Sequence, residues 1–207
     1  MIAGIQAYRI KKTDEINALQ LSITQRELDN MSKQIVVHNI EELDKYKNTI
    51  LDNLNNSVNM LQQVLNNNDA LDAFKIFKFE KMAKEPLSGN QENLIEVINQ
   101  AHTYLISIMA VEYLYKLYPT QVFIINWGNI PGYDIESLDG AIIAECFAAT
   151  SYKSNGKLTA DLKRLSGNTE AEHKYEFFYD KDFTEKHAEY YKEQYSDIKI
   201  VKFKDIK

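Results

Sequence analysis

The feature that most limits what this chain can fold into is a change of hydrophobic period at Pro119. Upstream, apolar residues recur every three to four positions; downstream, they fall into short β-rich blocks. From residue 13 to about 118 the pattern predicts helices almost throughout. Ile16, Leu19, Ile23, Leu28, Met31 and Ile35 form one run, and Ile40, Leu43, Ile50, Leu54, Val58, Leu61 and Leu65 form a second. Asn39 with Glu42 three residues later has the form of a capping box and starts the second helix. Asn66-Asn67-Asn68-Asp69 ends it and caps a shorter helix from Ala70 to about Ala83. A third helix is expected from Gln91 to Tyr118, stopped by Pro119.

After Pro119, strands are predicted at Val122–Ile125, Tyr133–Glu136, Ala141–Ala148, Lys174–Tyr179 and Ile198–Phe203. Asp139-Gly140 is the turn signal between the second and third of these. Helices are predicted from Lys157 to Leu165 and from Phe183 to Tyr195. The fold class is therefore α+β: a helical N-terminal region over residues 1–88, then an α/β domain over 89–207 with a central mixed sheet flanked by helices.

Composition narrows the function classes. A chain of 207 residues, 44% hydrophobic and 26% charged, with only 3 Pro and 7 Gly, buries a core and is not disordered as a whole. The single Cys146 excludes an intramolecular disulfide framework and any cysteine-based zinc module. No signal-peptide core is evident at the N-terminus and no run of about 18 apolar residues stands out, so the expectation is a cytoplasmic protein without a membrane span. The net charge of −6 argues against a basic nucleic-acid coat, although an acidic protein can still gather basic residues at one cleft.

Two carboxylates stand out by position. Asp134 opens one predicted strand, and Glu145 lies on the strand that returns from the Asp139-Gly140 turn, so antiparallel pairing can set them side by side. Such a pair repels itself unless a cation lies between, and a hard ion such as Mg²⁺ or Mn²⁺ suits it. Glu145 sits among Ile142, Ile143, Ala144, Phe147 and Ala148, where an acid is costly to bury without a partner. The plainer alternatives are an edge-strand Asp134 and a Glu145 satisfied by a structural Lys or Arg. Glu136 shares the strand face of Asp134. Lys153, Lys157, Lys163 and Arg164 make a local basic cluster that fits a phosphate backbone as well as it fits a solvated helix face. The second apolar run is longer than a small core needs, so it supports either a homodimer through the N-terminal helices or an intramolecular bundle.

The order helix–β–β–β–α–β, with Asp134 on the second strand and Glu145 on the third, resembles the PD-(D/E)XK nuclease superfamily, the restriction-endonuclease-like fold. The stretch from Gly132 to Glu145 resembles its motif region, Asn155 to Leu165 its flanking helix, and Lys174 to Tyr179 its next strand. The resemblance implies metal-dependent hydrolysis of DNA phosphodiesters, with Asp134, Glu145 and the Cys146 carbonyl as metal ligands. It also offers Glu96, at the start of the third long helix, as an additional acid. The family's lysine, two residues after the glutamate, is here Phe147. The resemblance then implies that Lys157, or Lys153 in the preceding loop, supplies the missing charge. The alternative is a catalytically degenerate relative that binds DNA or acts as a scaffold.

Overall fold

The computed structural model describes residues 33–206. Among them the order is β1 (Gln34–Val37), α1 (Glu41–Asn67), α2 (Ala70–Phe79), β2 (Ala83–Lys84), β3 (Gln91–Glu92) and α3 (Leu94–Leu117). There follow β4 (Phe123–Asn126), β5 (Ile135–Ser137), β6 (Ile142–Ala148), α4 (Lys157–Gly167), β7 (His173–Tyr179), α5 (Glu185–Gln194) and β8 (Ile198–Phe203). Six strands form one mixed sheet in the order β1-β4-β5-β6-β7-β8, and β2 and β3 form a separate two-stranded ribbon. β1, β4, β5 and β6 pair antiparallel, whereas β6, β7 and β8 run parallel and need the crossover helices α4 and α5. The chain is α+β, as its pattern predicts.

Sequence and structure part in the helical half. The expected first helix lies outside the described residues except at its end, where Gln34–Val37 is a strand. Ile35 and Val37 are buried and Gln34 and Val36 exposed, so a period of two prevails there. The helix from Ala70 ends at Phe79 rather than Ala83, and the long helix begins at Leu94 rather than Gln91, because the β2–β3 ribbon takes the residues between. Local hydrogen bonds fix these ends. Asp69 caps α2 through Asp72 N–H at 3.0 Å, and Asn93 caps α3 through Ile95 N–H at 2.9 Å. In the turn before β3, the Glu85 carboxylate accepts from Leu87 and Ser88 N–H. Of the expected Asn39–Glu42 capping box one half forms: Glu42 N–H donates to Asn39 Oδ1 at 3.2 Å, while the Glu42 carboxylate accepts from His38 N–H rather than Asn39 N–H.

The sheet is packed on both faces. On one, α1 and α3 cover Ile35, Val37, Phe123, Ile125, Ile135, Ile142, Ala144, Cys146, Tyr175 and Phe177. This core draws on both sides of residue 88, with Leu43 and Ile50 of α1 packed among Ile106, Ile108 and Leu114 of α3. By length and composition α3 is apolar enough to cross a membrane. In this fold twelve of its residues are buried, most of them in the core between the sheet and α1, while Ile95, Ile98 and Leu117 are exposed. On the other face α4 sets Leu158, Leu162 and Leu165 against Ile143, Phe147, Phe178 and Ile198. The α1 stripe is accordingly split: Leu43 and Ile50 are core, whereas Leu51, Val58 and Leu65, seven residues apart, are 39%, 51% and 52% exposed.

Candidate functional site

The site lies on the α4 face of the sheet. Alternation along β6 sends Ala144 and Cys146 toward α3 and Ile143, Glu145 and Phe147 toward α4. The parallel register places Glu145 opposite Glu176 of β7, so two carboxylates on neighbouring strands point the same way. Both are fully buried. The β5–β6 ladder closes at Ile135 opposite Ala144, and one step further on Asp134 stands across from Glu145. There Asp134 Oδ2 accepts the Cys146 N–H at 2.8 Å, taking the place of a β5 carbonyl beyond the strand's end. A residue's N–H and C=O project to the same side of a strand, so the Cys146 carbonyl is directed to this edge too.

The α4 helix supplies a stripe above these acids at spacings of four and three residues: Lys157, Asp161 and Arg164. Lys157 Nζ donates to Asp161 Oδ1 at 2.8 Å. Arg164 Nη1 stands 2.7 Å from Glu145 Oε1, close enough for an ion pair. No N–H is aligned on that oxygen, so both Glu145 oxygens, both Glu176 oxygens and Asp161 Oδ2 remain buried without a hydrogen-bond partner. The other guanidinium nitrogen donates to the Gly132 carbonyl, and the guanidinium plane lies 4.7 Å from the Tyr133 ring centre. Arg164 thus ties α4 to the loop before β5. Gly132 has φ 119°, and a side chain there would collide with the Glu136 carboxylate, so the loop needs glycine at that point.

Four carboxylates (Asp134, Glu145, Asp161 and Glu176) face two cations (Lys157 and Arg164), a deficit of two positive charges if all ionise. The electrostatics carry that mark. Burial, then the charge of Asp134, pushes the Glu145 carboxyl up to about 9 against the pull of Arg164. Burial, with Asp161 and Glu145 beside it, raises Glu176 well above the usual carboxylate range. Burial raises Asp161 as well, opposed by the Lys157 hydrogen bond. For Lys157 burial works downward, but the hydrogen bond to Asp161 and the charges of Asp161, Asp134 and Glu145 prevail, and its affinity for a proton is raised.

The site's fit to a divalent ion rests on those orphaned oxygens. All the available donors are hard oxygens, the charge deficit matches 2+, and bare buried carboxylate oxygens are costly unless something binds them. Among the described residues no three acidic, histidine or cysteine side chains converge as a complete cage. Mg²⁺ does not ask for one, since it is held through one or two carboxylates and keeps several waters. Asp134 and Glu145, brought opposite each other at the end of the β5–β6 ladder, are two such carboxylates.

The remaining sequence-derived candidates fall outside the cluster. Glu136 is spent on the loop: its Oε1 accepts from Tyr133 N–H at 2.8 Å and Asn126 Nδ2 at 3.3 Å. Glu96 is exposed in the first turn of α3, the helix that covers the opposite face of the sheet. Lys153 and Lys163 are exposed, Lys153 lying over the Tyr152 ring. The Cys146 thiol is buried toward α3, leaving only its backbone at the site. Phe147 stacks on Phe178 at 5.1 Å in the α4-side core.

Sequence reasoning missed Asp161 and Glu176. The signal that singled out Glu145, a lone acid in an apolar strand, applies equally to Glu176 in Tyr175-Glu176-Phe177-Phe178. Asp161 lies between Leu158 and Leu162 on the apolar face of α4, four residues after Lys157. Comparison of the chain with protein-family models, curated proteins and solved structures finds no match.

Proposed function

We propose that the chain is a divalent-metal-dependent nuclease that hydrolyses DNA phosphodiesters, with Asp134 and Glu145 as the ion-holding pair. The observation that carries this reading is the fully buried Glu145 carboxylate, neither oxygen hydrogen-bonded, beside Asp134 and under a lysine and an arginine. The order α3-β4-β5-β6-α4-β7, with Asp134 just before the second strand of that unit and Glu145 on the third, supports the resemblance to the PD-(D/E)XK nucleases. The free, buried Cys146 accords with a reducing cytoplasmic setting.

When bound, a Mg²⁺ or Mn²⁺ ion supplies Lewis-acid polarisation of a phosphoryl oxygen and eases deprotonation of water. The chain's own residues do the rest. Asp134, Glu145 and the Cys146 carbonyl fix where the ion rests. Lys157 carries its charge from α4 to the edge of the carboxylates, with the Asp161 hydrogen bond aiming its ammonium. That position answers for the lysine that Phe147 replaces, because the Phe147 ring is committed to packing on Phe178. Lys157 is then placed to offset charge gathering on a phosphoryl group in the transition state.

The test is cleavage of supercoiled plasmid in Mg²⁺ and in Mn²⁺, with EDTA controls, by wild type and Glu145→Gln. Metal-dependent nicking lost in the variant supports the reading. A wild type inert with every divalent ion, while still retaining the plasmid on a filter, identifies the degenerate DNA-binding relative instead.

A further inference from the structure

The site holds a second cationic group whose placement the metal pair does not explain. Arg164 touches a fully buried carboxylate at one end and water at the other: Nη1 is 2.7 Å from Glu145 Oε1, yet the side chain is 48% exposed. Its plane is held at the mouth by stacking on Tyr133 and by the hydrogen bond to the Gly132 carbonyl. A guanidinium has five N–H donors in a fixed fork. One is spent on Gly132, and none is aligned on Glu145, so donors remain for a ligand arriving from solvent. The other basic residues of the cluster are placed differently. Lys157 is paired with Asp161 at 2.8 Å rather than with Glu145, and Lys153 and Lys163 are exposed without a link to the buried acids.

We infer that Arg164 is the substrate-binding residue that receives the phosphate of a phosphodiester, and that it exchanges Glu145 for that phosphate when a divalent ion takes the carboxylate. The inference rests on the nuclease reading above and adds to it the order in which the site is filled. A cation on Glu145 and a guanidinium on the same oxygen repel each other, so ion and arginine compete for it. A phosphodiester offers the displaced guanidinium two non-bridging oxygens that accept from its planar fork together, a match a lysine ammonium does not make. The loop contacts at Gly132 and Tyr133 keep the guanidinium at the mouth while it changes partner. Arg164 therefore acts in two opposing ways: it weakens binding of the ion alone and strengthens binding of the phosphodiester.

The experiment measures both affinities on wild type, Arg164→Gln and Arg164→Lys. Mn²⁺ is titrated calorimetrically without DNA, and half-saturation by a short duplex is read from cleavage in saturating Mn²⁺. Far-ultraviolet circular dichroism checks that each variant is folded. In Arg164→Gln the Mn²⁺ affinity should rise about threefold or more as a competing charge is removed. Its half-saturating DNA concentration should rise about tenfold, the loss of one charge-assisted pair. Arg164→Lys should restore the wild-type Mn²⁺ affinity but not the DNA affinity. Two affinities unchanged, or both falling together, would show Arg164 to be only a structural tie between α4 and the loop. A wild type that binds no Mn²⁺ would overturn the nuclease reading itself, an outcome separate from wild-type binding that Arg164→Gln leaves unmoved.

Discussion

Replacing Glu145 with glutamine should stabilise the protein while removing the proposed nuclease activity, and the gain should grow with pH. Glu145 is buried on the α4 face with its carboxyl raised from 4.5 to about 9 by burial and by Asp134. A carboxyl raised in the fold keeps a proton that the unfolded chain releases. Its contribution to stability is therefore complete below about pH 4.5 and is lost progressively as pH rises toward 9. At pH 7 the interval above 4.5 is about two and a half pH units, worth about 3 kcal/mol at 1.4 kcal/mol per unit. Glutamine has no proton to lose and brings N–H donors beside the Asp134 carboxylate. Because Glu176 and Asp161 share the same field, part of the penalty passes to them, and a gain of about 2 kcal/mol at pH 7 is the working figure. For a chain of this size that corresponds to a rise in Tm of about 4–8 °C. The assay is thermal unfolding by circular dichroism at pH 5, 7 and 9 in EDTA, wild type against Glu145→Gln. The difference should be smallest at pH 5 and largest at pH 9. A difference that does not change with pH, or a variant that is less stable at pH 9, would refute the argument that a proton on Glu145 holds this site together.

Two further outcomes follow from the same geometry. Lys157→Ala should slow metal-dependent DNA cleavage by about two to three orders of magnitude, the usual loss for one electrostatic donor at a reacting centre, while Lys153→Ala stays within about twofold of wild type; equal rates for wild type and Lys157→Ala would mean that the charge lost at Phe147 is supplied elsewhere. Leu51, Val58 and Leu65 form an exposed stripe on α1 within a helix that carries no charged residue between Asn53 and Asn68, so light scattering at micromolar concentration should give a dimer that Val58→Glu returns to monomer; a monomeric wild type removes α1 as a self-association surface.

Much of the sheet half was legible because its signals are local. The Asp139-Gly140 turn fixed the β5–β6 hairpin, with Gly140 at φ 74° and its N–H donating to Ser137 at 2.8 Å. That hairpin is what brings Asp134 opposite Glu145. The helical half was less legible where tertiary pairing overrode periodicity. Ile35 fits a helical stripe in sequence, yet β1 exists because β4 offers it an edge. Ala83–Lys84 and Gln91–Glu92 are strands only because they pair with each other. The acids of the site divide the same way. Asp134 and Glu145 could be found from one hairpin, whereas Glu176 joins them through a parallel crossover by way of α4, whose register no local pattern reveals. Arg164 read as one of a basic cluster that suits a phosphate backbone or a solvated face; its contact with Glu145 depends on how α4 lies across the sheet.

The central claim is that Asp134 and Glu145 hold one divalent ion jointly. A calorimetric Mn²⁺ titration at pH 8 of wild type, Asp134→Asn and Glu145→Gln tests it most directly. The account predicts one saturable site in the wild type, weakened about tenfold or more in each variant, with thermal stability showing that both are folded. Wild-type binding that survives both substitutions, or no saturable binding at all, would contradict it.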